Sequence, residues 1–361
     1  MNITQRSPAM KICKESFRSN EKSIEENPLA SYCNYVALDW SMDNVCIATM
    51  KAASKYPQVV QLEANVELIK EYAQHLAGKS ILCFEETTGS HWLYVELKEY
   101  FDEIIVCDPY RNALLKEGAK TDKIDAAKLC QLLRSGLIKG VYHSLDSAYE
   151  YRQLANSYLQ LQKLGTRLKN QKSALYRAKG KRYKKESLHA DSDVEDLIYH
   201  SKDSLIEAFE REKAAYKKFI SNLVRQNRTM RALRDISGIG DIFAFLICAI
   251  VIDATRFPDK YHYWSYCGLV MHQKQSGGRD YGQRRGRYHR VLKWVYNTAA
   301  LAAITNQNDI RHYYDYLLQS GYSTRNAKHA ISRYIAKVTW AMIKNQTRYE
   351  PYRWRKNMEE K

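Results

Sequence analysis

Four carboxylates and one hydroxyl stand out by residue type and spacing. Asp39 closes the apolar run YVALDWS, and the run SILCF ends in Glu85 and Glu86. In open α/β sheets the carboxyl ends of strands are where ligands bind. Asp122 and Asp125 lie three apart in TDKIDA, at the start of an expected helix, so both project from one face. Asp39, Glu86, Asp122 and Asp125 drawn together would repel one another. Magnesium or manganese, hard ions that prefer carboxylate oxygen, would compensate. A pair of such ions clamps the attacking and leaving oxygens of a phosphodiester. Taken alone, TDKIDA reads as acids stabilising a helix dipole, with no metal required. Glu85 could replace Glu86, because sequence leaves open which of the two points inward.

The hydroxyl is Ser276, within HQKQSGGRDYGQRRGRYHR. Serine is a poor nucleophile unless its surroundings lower the cost of deprotonation, and no Ser-His-Asp ordering stands out here. Lys274, Arg279, Arg284, Arg285, Arg287 and Arg290 crowd the same segment. Guanidinium forks bind phosphate bidentately and stabilise charge growing at phosphorus. Gly277 and Gly278 let the backbone approach a bulky strand. Taken alone, the local sequence reads better as a flexible basic loop that holds nucleic acid, with Ser276 incidental. Upstream, SGIG resembles the turn of a helix-hairpin-helix, where Gly238 and Gly240 would turn N–H groups toward a DNA phosphate. The same glycines could simply turn a corner between helices.

These residues sit in a chain of 361 residues with formal net charge +17, a surplus that points to a polyanionic partner, nucleic acid first. A membrane-surface role would want a basic amphipathic terminal helix or a lipidation signal, and neither is clear. The 28 tyrosines suit stacking on exposed bases, though tyrosine also packs ordinary cores. The longest apolar stretch, IFAFLICAIVI, is too short to span a bilayer and reads as a buried helix. None of the 8 cysteines forms a CxxC pair, which suits a reducing cytoplasm better than a disulfide framework or a zinc site.

The elements that must position the acids follow from periodicity. Residues 1–32 lack the apolar core of a secretory signal and read as a mobile extension. Residues 33–144 read as β-β-(β)-α-β-α-β-α, an α/β domain whose last helix runs over about 122–135. Over 145–232 strand signals vanish. Leu154, Leu161, Leu168 and Leu175 recur every seven residues, and Leu205, Phe209, Tyr216, Phe219, Leu223 and Met230 mark a second stripe. The expectation is an antiparallel coiled-coil arm of two long helices, serving as spacer or as oligomerisation arm. Residues 233–361 read as a mainly helical domain with two late helices near 291–305 and 327–345.

The ordered set YVALDWS, FEETTG, TDKIDA, GIG, YCGL and QSGG resembles the DEDD transposases of the insertion-sequence one-ten family, which include bridge-RNA-guided recombinases. The resemblance covers the chain from about Tyr35 onward. It implies a RuvC-like domain with an RNase H-like fold, whose four acids fall on Asp39, Glu86, Asp122 and Asp125 and bind magnesium. It implies a coiled-coil arm used in assembly, and a C-terminal serine transposase domain in which Ser276 attacks DNA to form a phosphoserine link. It further implies a homo-oligomer, dimer or tetramer, whose domains meet across subunits. A structured noncoding guide RNA would pair with donor and target DNA, and the protein would act in a prokaryotic cytoplasm. The sequence departs from the usual pattern at Thr87, where a small residue is common, and in its doubled glutamate. Other readings consistent with the same residues are a site-specific DNA invertase, a metal-dependent junction nuclease that ignores Ser276, and a non-catalytic nucleic-acid-binding protein.

Overall fold

The computed structural model describes residues 28–109, 121–143, 148–183 and 185–355. The extension expected over 1–32 therefore lies outside the described residues up to residue 27. The chain divides into two compact units, Met1–Leu145 and Asp146–Lys361.

The first unit is built on a five-stranded sheet. Strands β1 (Asn34–Trp40), β2 (Asn44–Lys51) and β3 (Gln58–Glu63) form an antiparallel meander, and β4 (Ser80–Glu85) and β5 (Glu103–Cys107) add in parallel on the other side of β1. The sheet order is β3-β2-β1-β4-β5. β1 and β4 are central and read as near-continuous apolar runs, as strands covered on both faces do. Val36, Leu38, Leu82 and Phe84 share one core with the helix residues Ile69, Leu93 and Leu97. These belong to α1 (Val66–Gln74) and α2 (Ser90–Leu97). Tyr35, Ala37, Ile81 and Cys83 point to the opposite face. There they meet Ala126, Leu129, Cys130 and Leu133, the apolar stripe of α3 (Asp122–Arg134). Sequence periodicity places these elements, and the sheet holds a full β3 where the pattern hinted at one.

The second unit opens with two long helices, α4 (Ala148–Ala178) and α5 (Asp193–Gln226). Partner residues fall in α5 as they rise in α4: Ser157 with Tyr216, Lys169 with Glu210, Lys172 with Asp203, Lys179 with Glu195. The pair is thus antiparallel. The centre of its seam is not the leucine heptad. Ala148, Ala155, Tyr158 and Gly165 are buried along α4 with Leu168, while Leu154, Leu161 and Leu175 are only half-buried. On α5, Phe209, Ile220 and Val224 are buried, whereas Leu205 and Phe219 lie exposed. A Cβ at Gly165 would fall within the Phe209 ring, so glycine is what lets the two helices close there.

The base of this hairpin shares one core with the helices that follow. Ala155, Tyr158, Ile220 and Val224 pack with Phe245, Tyr296 and Ile335. Those helices are α6 (Arg228–Leu233), α7 (Asp241–Val251), α8 (Lys260–Tyr266), α9 (Arg290–Ala303), α10 (Asp309–Gln319) and α11 (Thr324–Asn345). The late helices expected from sequence are α9 and α11; α10, an 11-residue helix whose N-cap is Asn308 and which buries Ile310, Tyr314 and Leu317 along one face, is not among them. Between α8 and α9 stands a two-stranded hairpin, β6 (His272–Ser276) and β7 (Arg279–Arg284), where the sequence suggests a basic loop. Every residue of both strands is exposed, so no apolar alternation could mark them.

Candidate active site and nucleic-acid interface

The acids of the first unit are set by strand register and by one helix cap. The last registered pair between β1 and β4 is Leu38 with Phe84. Asp39 and Glu85 stand one residue beyond it, next to each other on adjacent parallel strands. Alternation along each strand puts both on the α3 face, with Ala37 and Cys83. Burial pushes the Cys83 thiol well up, and the Glu85 carboxylate is among the charges that add to this. Glu86 lies past the strand end, exposed, with its N–H donating to Cys107 O at 2.9 Å.

Thr121 caps α3 by accepting from Ile124 N at 3.4 Å, and so sets Asp122 and Asp125 in the first turn over the same sheet face. Cys46, directly opposite Asp39 in register, lies within electrostatic range of two of these acids, Asp39 and Asp122. Burial pushes its thiol up, the Asp122 and Asp39 carboxylates push it further, and Lys123 opposes them. Asp125 Oδ1 is buried with no hydrogen-bond partner among the described residues, which a helix-dipole role would not require. An orphaned carboxylate oxygen beside other acids is suited to a cation. The donor set is therefore right in kind for a hard divalent ion. Among the described residues no three His, Cys, Asp or Glu stand arranged to hold one.

The second unit presents the hydroxyl. Ser276 ends β6 and pairs with Arg279 across a two-residue turn, in which Gly277 and Gly278 have φ of 56° and 75°. Two successive left-handed residues make the tight hairpin connection that glycine pairs favour. Gly277 and Gly278 meet nothing around them, so the turn projects into open space. Lys274 lies over the Tyr281 ring at 5.8 Å, and Gln273 donates to Asp280 at 2.8 Å. The root of the hairpin is anchored firmly. His289 N donates to Tyr266 O at 2.8 Å, and Gly268 leaves room for the Tyr288 ring. Burial, with Arg256 adding to it, pushes the His289 imidazole down to about 4.

Gly238 and Gly240 part company. Gly238, at φ 89°, is pressed against the backbone of α9 at Ala299, so its place is explained by packing. Gly240 is the open N-cap of α7 and meets nothing. A group that local sequence does not reveal gathers beside the hairpin. Loss of solvent around His329, then Arg325, Arg333, Arg285 and Lys293, push its imidazole below the ordinary value. Arg285 just past β7, Lys293 of α9, and Arg325 and Arg333 of α11 thus all disfavour a charged His329. Arg325, His329 and Arg333 follow a four-residue spacing on α11, which was the readable half of that signal. The other half needed the fold.

An exposed arginine-rich hairpin is chemically suited to phosphate groups. Comparison with known proteins bears on the same stretch. Residues 230–315, which include the SGIG turn and the whole hairpin, match the family described as Transposase IS116/IS110/IS902 family. Over 156 residues the chain is 28% identical to the insertion element IS110 uncharacterized 43.6 kDa protein of Streptomyces coelicolor, covering 43% of this chain and 38% of that protein. It is 26% identical over 133 residues to the insertion element IS116 uncharacterized 44.8 kDa protein of Streptomyces clavuligerus, covering 37% of this chain and 33% of that one. The chain thus spans well under half the length of either relative. No helix among the described residues is long and apolar enough to cross a membrane.

Proposed function

We propose that this protein is a transposase that cuts and rejoins DNA through Ser276, acting in the cytoplasm as a homo-oligomer guided by a structured RNA. The observation that carries the reading is a coincidence: the stretch similar to transposases is the one that holds an exposed serine on a hairpin lined by arginines. In the reaction, Ser276 Oγ attacks a DNA phosphorus. The Oγ–P bond forms, one P–O bond to a sugar breaks, and the leaving oxygen takes up a proton while the serine gives one up. Lys274, Arg279, Arg284, Arg285, Arg287 and Arg290 bind the phosphates around it and oppose the charge that grows at phosphorus. Gly240 offers an open helix start to the backbone.

Asp39, Asp122, Asp125 and one of the two glutamates would hold magnesium or manganese, which would supply Lewis-acid stabilisation of phosphoryl oxygens. Register favours Glu85 over Glu86 for that set, because Glu85 shares Asp39's face. The buried Oδ1 of Asp125 favours a cation over simple dipole stabilisation. A metal-dependent nuclease reading draws on the same acids without Ser276.

A covalent-trapping assay separates the two. Purified protein, Mg²⁺, element-end DNA and RNA transcribed from the flanking region are mixed, denatured and run on a gel, beside Ser276→Ala. A DNA-linked protein band that vanishes in the variant is expected. Equal cleavage in both proteins with no linked band would overturn the serine reading in favour of the nuclease. In the same assay Asp39→Asn is expected to abolish strand exchange with RNA binding nearly intact, and loss of both would make Asp39 structural.

A further inference from the structure

A cavity of about 240 Å³ opens on the second unit where α6 meets the end of α11, lined by Arg228, Arg231, Arg348, Asp235, Thr229 and Gln346 among others. Three guanidiniums face one carboxylate. Among the described residues no ion pair engages Arg228, Arg231 or Arg348, while the neighbouring Arg234 spends its charge on Asp241 at 2.9 Å. Three guanidiniums around a single carboxylate leave a surplus of positive charge that an entering anion would balance.

The wall of the cavity is built rather than incidental. Gln346 holds a left-handed backbone, φ 53°, which costs a non-glycine residue on the order of 1 kcal/mol or more. Its side chain fixes that conformation from both ends: Nε2 donates to Ile343 O at 2.8 Å, and Oε1 accepts from Thr229 Oγ1 at 2.9 Å. The second bond ties α6 to the end of α11 across 117 residues of sequence. It holds Arg228 and Arg231 on one side of the opening and Arg348 on the other.

We infer that this cavity is a second nucleic-acid contact, taking a backbone phosphate of a strand that also meets the Ser276 hairpin. The root of that hairpin, α8, bonds α11 through Trp264 Nε1 to Arg333 O at 2.9 Å. From Arg333 to Asn345, at the cavity, α11 runs roughly 18 Å, a distance a few nucleotides of duplex cover. The chemistry recognised is a phosphate group with access from solvent. The inference rests on the nucleic-acid reading above, since a free phosphorylated molecule would satisfy the same guanidiniums.

The test measures binding of full-length protein to a DNA duplex of arbitrary sequence across a salt series, with thermal shift by inorganic phosphate alongside. The double variant Arg231→Gln/Arg348→Gln is compared with Arg211→Gln, an exposed change on α5 away from the cavity. Each lost phosphate contact flattens the log–log salt slope by about 0.9. The expected result is a slope shallower by about one to two in the double variant, a several-fold weaker affinity at low salt, and no change in Arg211→Gln. An unchanged slope beside normal wild-type binding overturns the inference and leaves the hairpin reading standing. Loss of phosphate-induced stabilisation with an unchanged DNA slope overturns the nucleic-acid assignment and makes the cavity a site for a free phosphorylated molecule. Absence of DNA binding in the wild type at every salt would defeat the functional reading and this inference together.

Discussion

At the scale of single residues, the candidate site is a matter of which side chain shares whose face. Asp39 and Glu85 are neighbours because parallel strands in register put equivalent residues side by side. Glu86, one residue on, is turned to solvent. Glu85→Gln should therefore reduce strand exchange at least tenfold, the loss of about 1.4 kcal/mol of transition-state stabilisation, while Glu86→Gln should change it little. The reverse ranking, measured by product formation under one set of conditions, would return the role to Glu86. His289 gives a prediction about pH. Its imidazole titrates near about 4 when folded, because burial and Arg256 disfavour the charged ring, against an ordinary value near 6.5. Between those values the unfolded chain binds a proton that the folded chain refuses. The contribution of His289 to stability is therefore flat above pH 6.5 and falls as pH drops toward 4, by on the order of 3 kcal/mol. His289→Gln should flatten that fall in a denaturant series, and an unaltered profile would mean that other groups carry it.

At the scale of elements, the helical arm illustrates how spacing can mislead. A leucine every seven residues suggests a seam centred on leucine. The antiparallel partner decides otherwise, because Phe209 needs space and Gly165 provides it. Leu168 stays buried in the seam, while Leu154, Leu161 and Leu175 lie at its flanks. The ammonium groups of Lys169 and Lys213 lie over the Phe209 ring, 5.1 and 5.3 Å from its centroid. Gly165→Ala should raise helix propensity by about 1 kcal/mol, yet overpacking costs about 1–3 kcal/mol. A lowered melting temperature is expected, and restoration of stability by adding Phe209→Leu would assign the loss to this contact. A rise in melting temperature on Gly165→Ala alone would show that the helices can move apart freely. The β6–β7 hairpin makes the complementary point. Its strands bury nothing, so its register depends on the glycine turn and on the anchorage of its root at Tyr288 and His289.

At the scale of the molecule, the formal net charge is +17. The hairpin and the start of α11 gather cations around His329 without a matching carboxylate among the groups that perturb it. In the arm, by contrast, lysines of α4 meet acids of α5. Salt should therefore weaken nucleic-acid binding steeply, and the hairpin should carry much of that dependence. Replacing Arg284 and Arg285 together by glutamine should flatten the slope by about two. An unchanged slope in filter binding or fluorescence anisotropy would place both arginines off the nucleic-acid path.

Much of this protein could be read from its residues in order. Apolar runs of strand length, helical periodicity and the break in pattern after residue 144 point to a sheet with helices followed by a mainly helical part, because burial demands those periodicities wherever an element has one buried face. The acids and the basic serine segment were legible as types and spacings. What tertiary structure alone decided were relations between distant segments. It decided which glutamate lies beside Asp39, since strand register depends on the partner strand. It turned an apparent loop into a hairpin, since exposed strands carry no alternation. It moved the centre of the arm from leucine to glycine and phenylalanine, and it brought Arg285, Lys293, Arg325 and Arg333 around one imidazole. Local sequence encodes which face of an element is buried. Only packing determines what that face meets.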